Sequence, residues 1–226
     1  MKKNIFKTFT TTADKNIAYH VTQDKTQVDN ARINLAIQHK FDINNLKYMN
    51  QVHKNDVKIV NQNQNFYDNC DALVTNLKNT PLMVMVADCI PILFEDTTNN
   101  TIAVAHAGRN GTFLNISSNV INTMVNDFNC DTNNIKVELG ASIQKCCYEV
   151  SKDMANIVKQ NFGSNFVQDR NIDLQGINKM QLINSGIKEL NITISNICTK
   201  CSNEPYFSYR NDSSCGRFAG IIMLRD

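Results

Sequence analysis

Two apolar runs joined by a short polar stretch set the strongest constraint on how this chain can fold. They lie in the segment LMVMVADCIPILFEDTTNNTIAVAHAG, residues 82–108, and the polar interruption covers residues 96–100. Apolar runs of this length around a loop of four or five residues are typical of a β-hairpin. The sequence therefore predicts two neighbouring antiparallel strands here.

The predicted hairpin brings a cysteine and a histidine close together. With the turn centred in the middle of the loop, Cys89 faces Gly108 and His106 faces Pro91. Cys89 and His106 are then diagonal neighbours on one face, within reach of a shared ion, whereas a slip of one residue would separate them. Since Pro91 cannot donate to the ladder, we expect it to bend the strand just past Cys89.

A third metal donor is available in NQVHKNDV. His53 ends a strand-like run there and is followed by turn-forming residues 54–56. Two imidazoles and a thiolate are a sensible zinc set, and three protein ligands leave the fourth position open, as in catalytic sites. The separations follow no compact zinc motif, so structural or surface histidines remain the alternative on spacing alone.

The remaining pattern predicts an α+β fold in one domain over residues 1–226. Helical spacing predicts a helix after Thr112, a second capped by Ser151 and a third from near Asp173 to Leu190. Strands in hairpins and helices in blocks favour α+β over a regularly alternating parallel sheet. The polar run at 61–65 is expected to be a surface loop. Predicted strands cover approximately residues 46–53, 56–60, 71–75, 82–88, 91–95, 101–106, 135–141, 192–198 and 219–224.

Composition narrows the classes of partner and the compartment. The 226 residues are 42% hydrophobic, and 23 basic against 21 acidic residues give a net charge of +2. With so small a net charge, we expect no strong positive electrostatic potential that would attract nucleic acid or an anionic membrane. Because the N-terminus lacks a signal-peptide pattern and no apolar run reaches about 18 residues, we expect a cytoplasmic protein, as a monomer or a homodimer.

The cysteines are expected to be reduced thiols. Eight cysteines in 226 residues are too few for a disulfide scaffold. Cys198 and Cys201 form a single C-x-x-C, which favours a structural role because no second such pair or thioredoxin-like pattern accompanies it. The other cysteines outside the candidate metal site are interpreted mostly as packing thiols: Cys70, Cys130, Cys146 and Cys147.

Seven segments, in order from about residue 50 to the C-terminus, resemble motifs of the YfiH or laccase-domain family. They are NQVHKNDV, CDALVTN, ADCIPILFED, AHAGRNGT, GASIQKCCYEV, DLQGINKMQLINSGI and CTKCSNEPYFSYRNDSSCGRFAGII. The chain departs from the family pattern at three places, which cover four residues. Arg109 and Asn110 stand where Trp-Arg is usual, Asn211 replaces the second of two paired arginines, and Cys215 replaces a threonine.

The resemblance implies a fold, a cofactor and an activity. The fold is a four-layer αββα sandwich shared with the cytotoxic necrotizing factor toxins. Zinc is expected on His53, Cys89 and His106, which would form the catalytic centre. The expected activity is phosphorolysis of adenosine, inosine, guanosine and methylthioadenosine, together with deamination of adenosine. Purine nucleosides and phosphate are thus the expected partners.

Four further residues are candidate substrate contacts. Arg109 lies in a loop before a helix and could bind phosphate together with main-chain N–H groups, or be a solvated turn residue. Arg210 and Arg217 could grip a ribose, base or phosphate, or form salt bridges that fix the chain end. Gln51, on the same strand face as His53, could hydrogen-bond the base or be an ordinary exposed glutamine.

Two aspartates at predicted strand ends could support the candidate site. Asp71 and Asp88 could each orient a ligand histidine or act as acid or base. In a regular strand Asp88 points away from Cys89, which favours a supporting or structural role.

Other functions leave their own marks in the sequence. Multicopper oxidase chemistry needs around ten histidines and is excluded, because the chain has four. The usual zinc nucleobase deaminase signature, H-x-E with P-C-x-x-C, is also missing. The alternatives are a hydrolase with Cys89 as nucleophile and His106 as its base, or a non-catalytic protein that binds purines or a partner.

Overall fold

The hairpin predicted from the two apolar runs lies at the centre of a six-stranded sheet. In the computed structural model, which describes residues 5–226, strand Ile90–Asp96 pairs antiparallel with Thr101–Ala107. Pro91 lies opposite His106, so the predicted register is confirmed. Both strands are buried along their whole length.

The described chain contains thirteen strands and five α-helices. The helices are α1 Lys25–His39, α2 Arg109–Phe113, α3 Ile116–Phe128, α4 Lys152–Asn161 and α5 Leu174–Asn184. The strands are β1 Ile5–Phe9, β2 Tyr48–Met49, β3 Val57–Ile59, β4 Phe66–Tyr67, β5 Ala72–Thr75, β6 Leu82–Val86, β7 Ile90–Asp96, β8 Thr101–Ala107, β9 Lys136–Leu139, β10 Val167–Gln168, β11 Asn171–Ile172, β12 Ile192–Ile194 and β13 Phe218–Leu224.

Two sheets stack face to face and helices cover their outer sides. The large sheet has the order β12-β9-β7-β8-β5-β3 and the small one β1-β13-β6. Leu93 and Val104 of the large sheet pack between the sheets against Val84 and Ile222 of the small one. Helix α1 covers the outer face of the small sheet, and α3, α4 and α5 pack on the outer side of the large sheet. The four-layer αββα arrangement is therefore confirmed.

Several predicted boundaries are wrong, for local reasons. The strand predicted over 46–53 is formed only at Tyr48–Met49, and the one predicted over 192–198 ends at Ile194. The third helix ends at Asn184 instead of Leu190, because Gly186 then adopts a φ of 92°. The helix predicted after Thr112 begins only at Ile116, because Asn115 takes a left-handed conformation. Arg109, which was expected in a loop before that helix, is the first residue of the short helix α2.

The expected effect of Pro91 on the strand is also wrong. Pro91 is the second residue of strand β7. The chain bends earlier, at residues 87–89, so the bend includes Cys89 and does not follow it. The N–H of His106, which faces Pro91, donates to the carbonyl of Asp71 on the other side of β8 (2.8 Å). The main-chain N–H of His106 is thus directed away from Pro91. The missing N–H of Pro91 therefore leaves no hydrogen bond unformed between these two residues.

Six elements were not predicted, namely β1, β4, β10, β11, α1 and α2. The loop at 61–65 is exposed, as expected. Among residues 5–226, no helix has the length and apolar character needed to span a membrane.

Candidate metal centre and cavity

Three side chains from distant parts of the sequence converge at the end of the central hairpin. One ligand atom from each of His53, Cys89 and His106 lies within 4.8 Å of the others. His106 is on β8, Cys89 directly precedes β7, and His53 follows β2 in a left-handed conformation with a φ of 58°. The convergence expected from the hairpin register is therefore present, and His53 joins it through its loop.

Asp71 fixes one of the imidazoles. It directly precedes β5, whose pairing with β8 places it beside His106, and its Oδ1 lies 2.8 Å from His106 Nδ1. The same carboxylate accepts hydrogen bonds from the main-chain N–H groups of Val52 (3.2 Å), His53 (3.0 Å) and Lys54 (2.7 Å). With Nδ1 held by a carboxylate, His106 presents Nε2 to the candidate centre, as metal-binding histidines commonly do.

The charges in this cluster shift its pKa values strongly. Burial opposes the Cys89 thiolate, but the imidazoles of His106 and His53 outweigh burial and lower the pKa of Cys89 to about 6. Burial likewise opposes the His106 imidazolium, yet Cys89 and Asp71 raise the pKa of His106 to about 9. For Asp71, hydrogen bonds from His106 and the main chain outweigh burial and lower the pKa. At neutral pH the metal-free cluster therefore favours a thiolate beside an imidazolium.

The residues of this centre fit a divalent metal ion. Two imidazoles and one thiolate are zinc donors, and three of them leave one coordination position for a substrate or water. Gly108 keeps space beside them, because a Cβ there would lie 2.9 Å from Cys89 Sγ and 3.2 Å from His53 Cδ2. The centre therefore has both the donors and the open side that a catalytic ion needs.

The three donors line a cavity of about 1210 Å³ that also contains several aromatic and cationic side chains. Arg32 of α1 forms part of its wall and is only 4% exposed. Its guanidinium lies 4.3 Å from the ring centroids of both Tyr19 and Tyr48, and its Nε donates to Ile17 O (2.9 Å). A positive charge is thus fixed in the cavity wall between two aromatic rings.

Arg210 and Arg217 both line this cavity, as expected for substrate contacts. The Arg210 guanidinium stacks on Tyr148 (4.9 Å) and donates to Glu149 O (3.0 Å). Arg217 donates to Cys215 O (2.7 Å) and lies over the ring of Tyr209 (5.8 Å). Each arginine is therefore anchored on one side while it borders the cavity.

Gln51 lines the cavity, but its amide is already paired. Its Nε2 donates to Met85 O (2.7 Å), and its Oε1 accepts from Met85 N (2.9 Å). The Gln51 amide thus pairs with both main-chain polar groups of Met85 in β6, as a residue of a neighbouring strand would. This pairing favours an anchoring role over the expected hydrogen bond to a base.

Arg109 is outside the set of residues that line the cavity. Its Nε donates to the neighbouring Asn110 Oδ1 (3.4 Å). It is nevertheless close enough to Tyr148 for its charge to lower that phenol's pKa, although burial raises the pKa more. Arg109 is therefore near Tyr148 without lining the cavity, and its role in phosphate binding stays a prediction.

Asp88 has supporting contacts, although it lies outside the regular strand from which that role was inferred, because β6 ends at Val86. Its Oδ1 accepts from Thr199 Oγ1 (2.6 Å), and its Oδ2 accepts from the N–H of Arg210 (2.7 Å). The irregular backbone at Asp88, with a φ of 81°, directs it to these partners. Asp88 thus ties the C-terminal motif to the bend that carries Cys89.

Sequence reasoning missed the contribution of α1 to the cavity. The helix buries Val28, Ala31, Arg32, Leu35 and Ala36, which follow helical spacing. An arginine on such an apolar stripe is a signal of a paired buried charge. That signal could have identified Arg32 from the sequence.

Comparison with known proteins agrees with the fold and the site. A family model described as multi-copper polyphenol oxidoreductase laccase matches residues 8–225. The chain therefore belongs to this laccase-domain family, to which its motifs were assigned. Despite the copper in that description, four histidines are too few for a multicopper centre.

Two curated relatives carry names that refer to purine nucleosides. The chain is 32% identical over 210 residues to purine nucleoside phosphorylase Cj1217c of Campylobacter jejuni, covering 92% of this chain and 88% of the relative. It is 31% identical over 225 residues to adenosine deaminase RL5 from an unknown prokaryotic organism, covering 91% and 86%. Among solved structures, Bacillus licheniformis hypothetical protein YfiH matches with a TM-score of 0.91 at 24% identity, over 98% of this chain and 93% of that one, which supports the fold.

Proposed function

We propose that this protein is a zinc-dependent purine nucleoside phosphorylase that also deaminates adenosine. Adenosine, inosine, guanosine and methylthioadenosine are the proposed substrates, and His53, Cys89 and His106 the proposed zinc ligands and catalytic centre. The observation that carries the proposal is the convergence of these donors in a large cavity lined by Arg32, Arg210 and other cationic and aromatic residues. The names of the two curated relatives support the same chemistry.

Bound zinc would supply Lewis acidity at the open coordination position, either to polarise a substrate atom or to acidify water. The chain's own residues supply binding and orientation. In phosphorolysis a phosphate oxygen bonds to the anomeric carbon, while the bond to the purine nitrogen breaks and the purine leaves with the electron pair. Arg210 and Arg217 border the cavity, and their fixed positive charges would hold the phosphate dianion near that carbon.

Aromatic side chains would bind and orient the nucleoside. Tyr148 borders the cavity, and burial raises its pKa, so its phenol keeps its proton near neutral pH. That O–H group can donate a hydrogen bond to the departing purine or to the ribose. The rings of Tyr19 and Tyr48 flank Arg32 and give the cavity wall an apolar surface for a base or ribose.

Phosphate-dependent release of purine base tests the proposal. Protein purified without added metal is assayed with adenosine and inosine, with and without phosphate and a chelator, and formation of inosine from adenosine reports deamination. We expect activity that chelator abolishes and zinc restores, and that His53→Asn removes, because asparagine suits the left-handed backbone but is a poor zinc ligand. Phosphorolysis that persists in the fully chelated protein would overturn the metal-dependent mechanism.

The arginine roles are tested separately. Arg210→Gln should raise KM for phosphate at least about tenfold, because a charge-assisted bond of more than about 1.4 kcal/mol is lost. Arg109→Gln is the matched comparison, since Arg109 is not in the cavity lining. An equal or larger effect of Arg109→Gln would assign the phosphate contact to Arg109 instead.

A second function, a Cys/His hydrolase, is favoured by one observation. Cys89 Sγ lies within 4.8 Å of a ring nitrogen of His106, and Asp71 Oδ1 lies 2.8 Å from His106 Nδ1, which is the arrangement of a cysteine nucleophile, its base and an orienting carboxylate. Although burial opposes it, the two imidazoles also lower the pKa of Cys89 to about 6. Zinc would inhibit that reaction but is required for the phosphorylase. Ester hydrolysis that chelator stimulates and Cys89→Ser abolishes would support the hydrolase, whereas stimulation of purine release by zinc supports the phosphorylase.

A further inference from the structure

Four cysteines outside the cavity come together because of the topology of the large sheet. Strands β9 and β12 are parallel neighbours, so the loops that follow them leave the sheet at the same edge. The first loop carries Cys146 and Cys147, and the second carries Cys198 and Cys201. A bridge between Ser142 and Cys198 holds the two loops side by side.

The spacing of the sulfur atoms fits one mononuclear metal ion. All four Sγ atoms lie within 4.8 Å of one another, and those of Cys146 and Cys201 are 3.6 Å apart. Four thiolates bound tetrahedrally at about 2.3 Å from one zinc ion would be about 3.8 Å apart. The observed separation exceeds a disulfide bond of about 2.05 Å, and the eight cysteines are free thiols. The four donors therefore lie at ligand distances without a rearrangement of the loops.

The main chain around the buried member of the cluster resembles a metal-binding knuckle. Cys198 is 5% exposed, and its Sγ accepts a hydrogen bond from Gln144 N at 3.5 Å. Although burial opposes it, the main-chain N–H groups of Gln144, Lys200 and Cys201 lower the pKa of Cys198 to about 7. Amide donors directed at a cysteine sulfur stabilise a thiolate, which is the form that binds metal.

We propose that Cys146, Cys147, Cys198 and Cys201 bind a second zinc ion with a structural role. Binding displaces the four thiol protons to solvent, and the four thiolates fill every tetrahedral position, so no position is left for substrate. The expectation that Cys146 is a packing thiol is wrong, because its side chain is exposed. Cys198 and Cys201 would then have the structural role expected for them, through an ion that they share with Cys146 and Cys147 of the other loop.

The site would brace one wall of the nucleoside cavity. Thr199, between the two cysteines of the second loop, donates to Asp88, which also accepts from Arg210 N. In the first loop, Ile143 N donates to Asp88 O (2.9 Å), and Tyr148 follows Cys147 directly. An ion that joins the loops would therefore hold Tyr148 and Arg210 in position without contacting substrate.

Zinc stoichiometry of the 226-residue chain tests this proposal independently of activity. Protein purified under reducing conditions and freed of loose metal should contain two zinc ions per chain. The double variant Cys146→Ser/Cys201→Ser changes the two exposed members and should contain one, as should His53→Asn, which alters only the first centre. Cys130→Ala is the matched control, because this buried thiol is in neither cluster, and it should retain both ions.

Cobalt replacement identifies the ligands if the double variant folds poorly. Wild-type protein loaded with Co²⁺ should show strong thiolate-to-metal absorption that persists in His53→Asn, since four sulfur donors remain. The proposal is overturned if wild-type protein holds only the ion that His53→Asn removes, or if the four cysteines are freely alkylated in zinc-loaded protein. A Cys146–Cys201 disulfide in protein prepared under reducing conditions, detected by mass spectrometry, would also overturn it.

Discussion

At the scale of single residues, Asp71 determines how the first centre is built. One carboxylate accepts from His106 and from three consecutive N–H groups at residues 52–54. It therefore orients one proposed ligand through its ring and another, His53, through its backbone. The carboxylate is fully buried, so water cannot replace any of these bonds.

Replacing Asp71 should weaken metal binding. Asp71→Asn introduces an NH₂ group among donors, so at least one N–H loses its acceptor, at a cost of about 1–3 kcal/mol in folding free energy. Loss of the carboxylate behind His106 should reduce zinc affinity by about 10–100-fold. Competition with a chromophoric chelator measures the affinity. The exposed Asp131→Asn is the control and should change stability by less than about 0.5 kcal/mol; unchanged zinc affinity in Asp71→Asn would contradict the assignment.

Gly108 is required for space and not for backbone freedom. Its φ of −76° suits any residue, but a Cβ would lie 2.9 Å from Cys89 Sγ. We expect Gly108→Ala to lose zinc from the first centre and to lose activity, while metal-free stability changes by no more than about 1–3 kcal/mol from overpacking. Zinc analysis and thermal unfolding in chelator separate the two effects. Full retention of zinc and activity would show that the centre lies elsewhere.

At the scale of secondary-structure elements, the break between α2 and α3 ties these helices to the loop that follows His53. Asn115 separates the helices with a φ of 65° and a ψ of 41°. The carbonyl of Leu114 beside it accepts from Asn55 Nδ2 (2.7 Å), which ties the break to the loop that follows His53. A continuous helix would carry this carbonyl away from that loop.

The left-handed conformation of Asn115 gives a direct test. Asn115→Ile should lower the free energy of unfolding by about 1–2 kcal/mol, because a β-branched residue is strained there. Asn115→Gly is the matched control and should change it by less than that, since glycine adopts this conformation freely. Urea unfolding of both variants measures the difference, and equal stabilities would contradict the role given to the backbone.

The elements that could be predicted from the sequence are those with local signals. The central hairpin and its register follow from two apolar runs around one short loop, so Cys89 and His106 could be placed together. The caps Ser151 and Asp173 correctly give the starts of α4 and α5. Each signal lies within a few residues of the feature it determines, which is why a single sequence contains it.

The elements that could not be predicted depend on contacts that are distant in sequence. Strand β1 is defined by its pairing with β13 near the other end of the chain. The sequence contains the four cysteines, but only the pairing of β9 with β12 shows that 146–147 and 198–201 meet. Gln51 could be placed near His53, yet its pairing with Met85 depends on where β6 lies. These features are set by tertiary packing and not by local periodicity.

At the scale of the whole molecule, the two cysteine-containing centres flank one wall of the cavity. The first joins the loop after β2, the bend before β7 and strand β8, and the second joins the loops after β9 and β12. Asp88 lies between them, next to Cys89 in the chain and bonded to Thr199. Metal binding at either centre should therefore stabilise the folded chain and not only its activity.

Removing metal should lower the melting temperature in two separable steps. Free zinc at about 1,000 times Kd stabilises the native state by about 4 kcal/mol per site, and somewhat less where unfolded cysteines also bind zinc. For a chain of this size about 1 kcal/mol changes Tm by about 2–4 °C, so each site should contribute on the order of 8–16 °C. Calorimetry with zinc or with chelator should show the full difference for wild-type protein and only part of it for His53→Asn and for Cys146→Ser/Cys201→Ser. If protein from which zinc has been removed, as checked by metal analysis, keeps the Tm of the zinc-loaded protein, neither centre binds zinc specifically in the folded state, because a ligand specific to the native state must raise Tm.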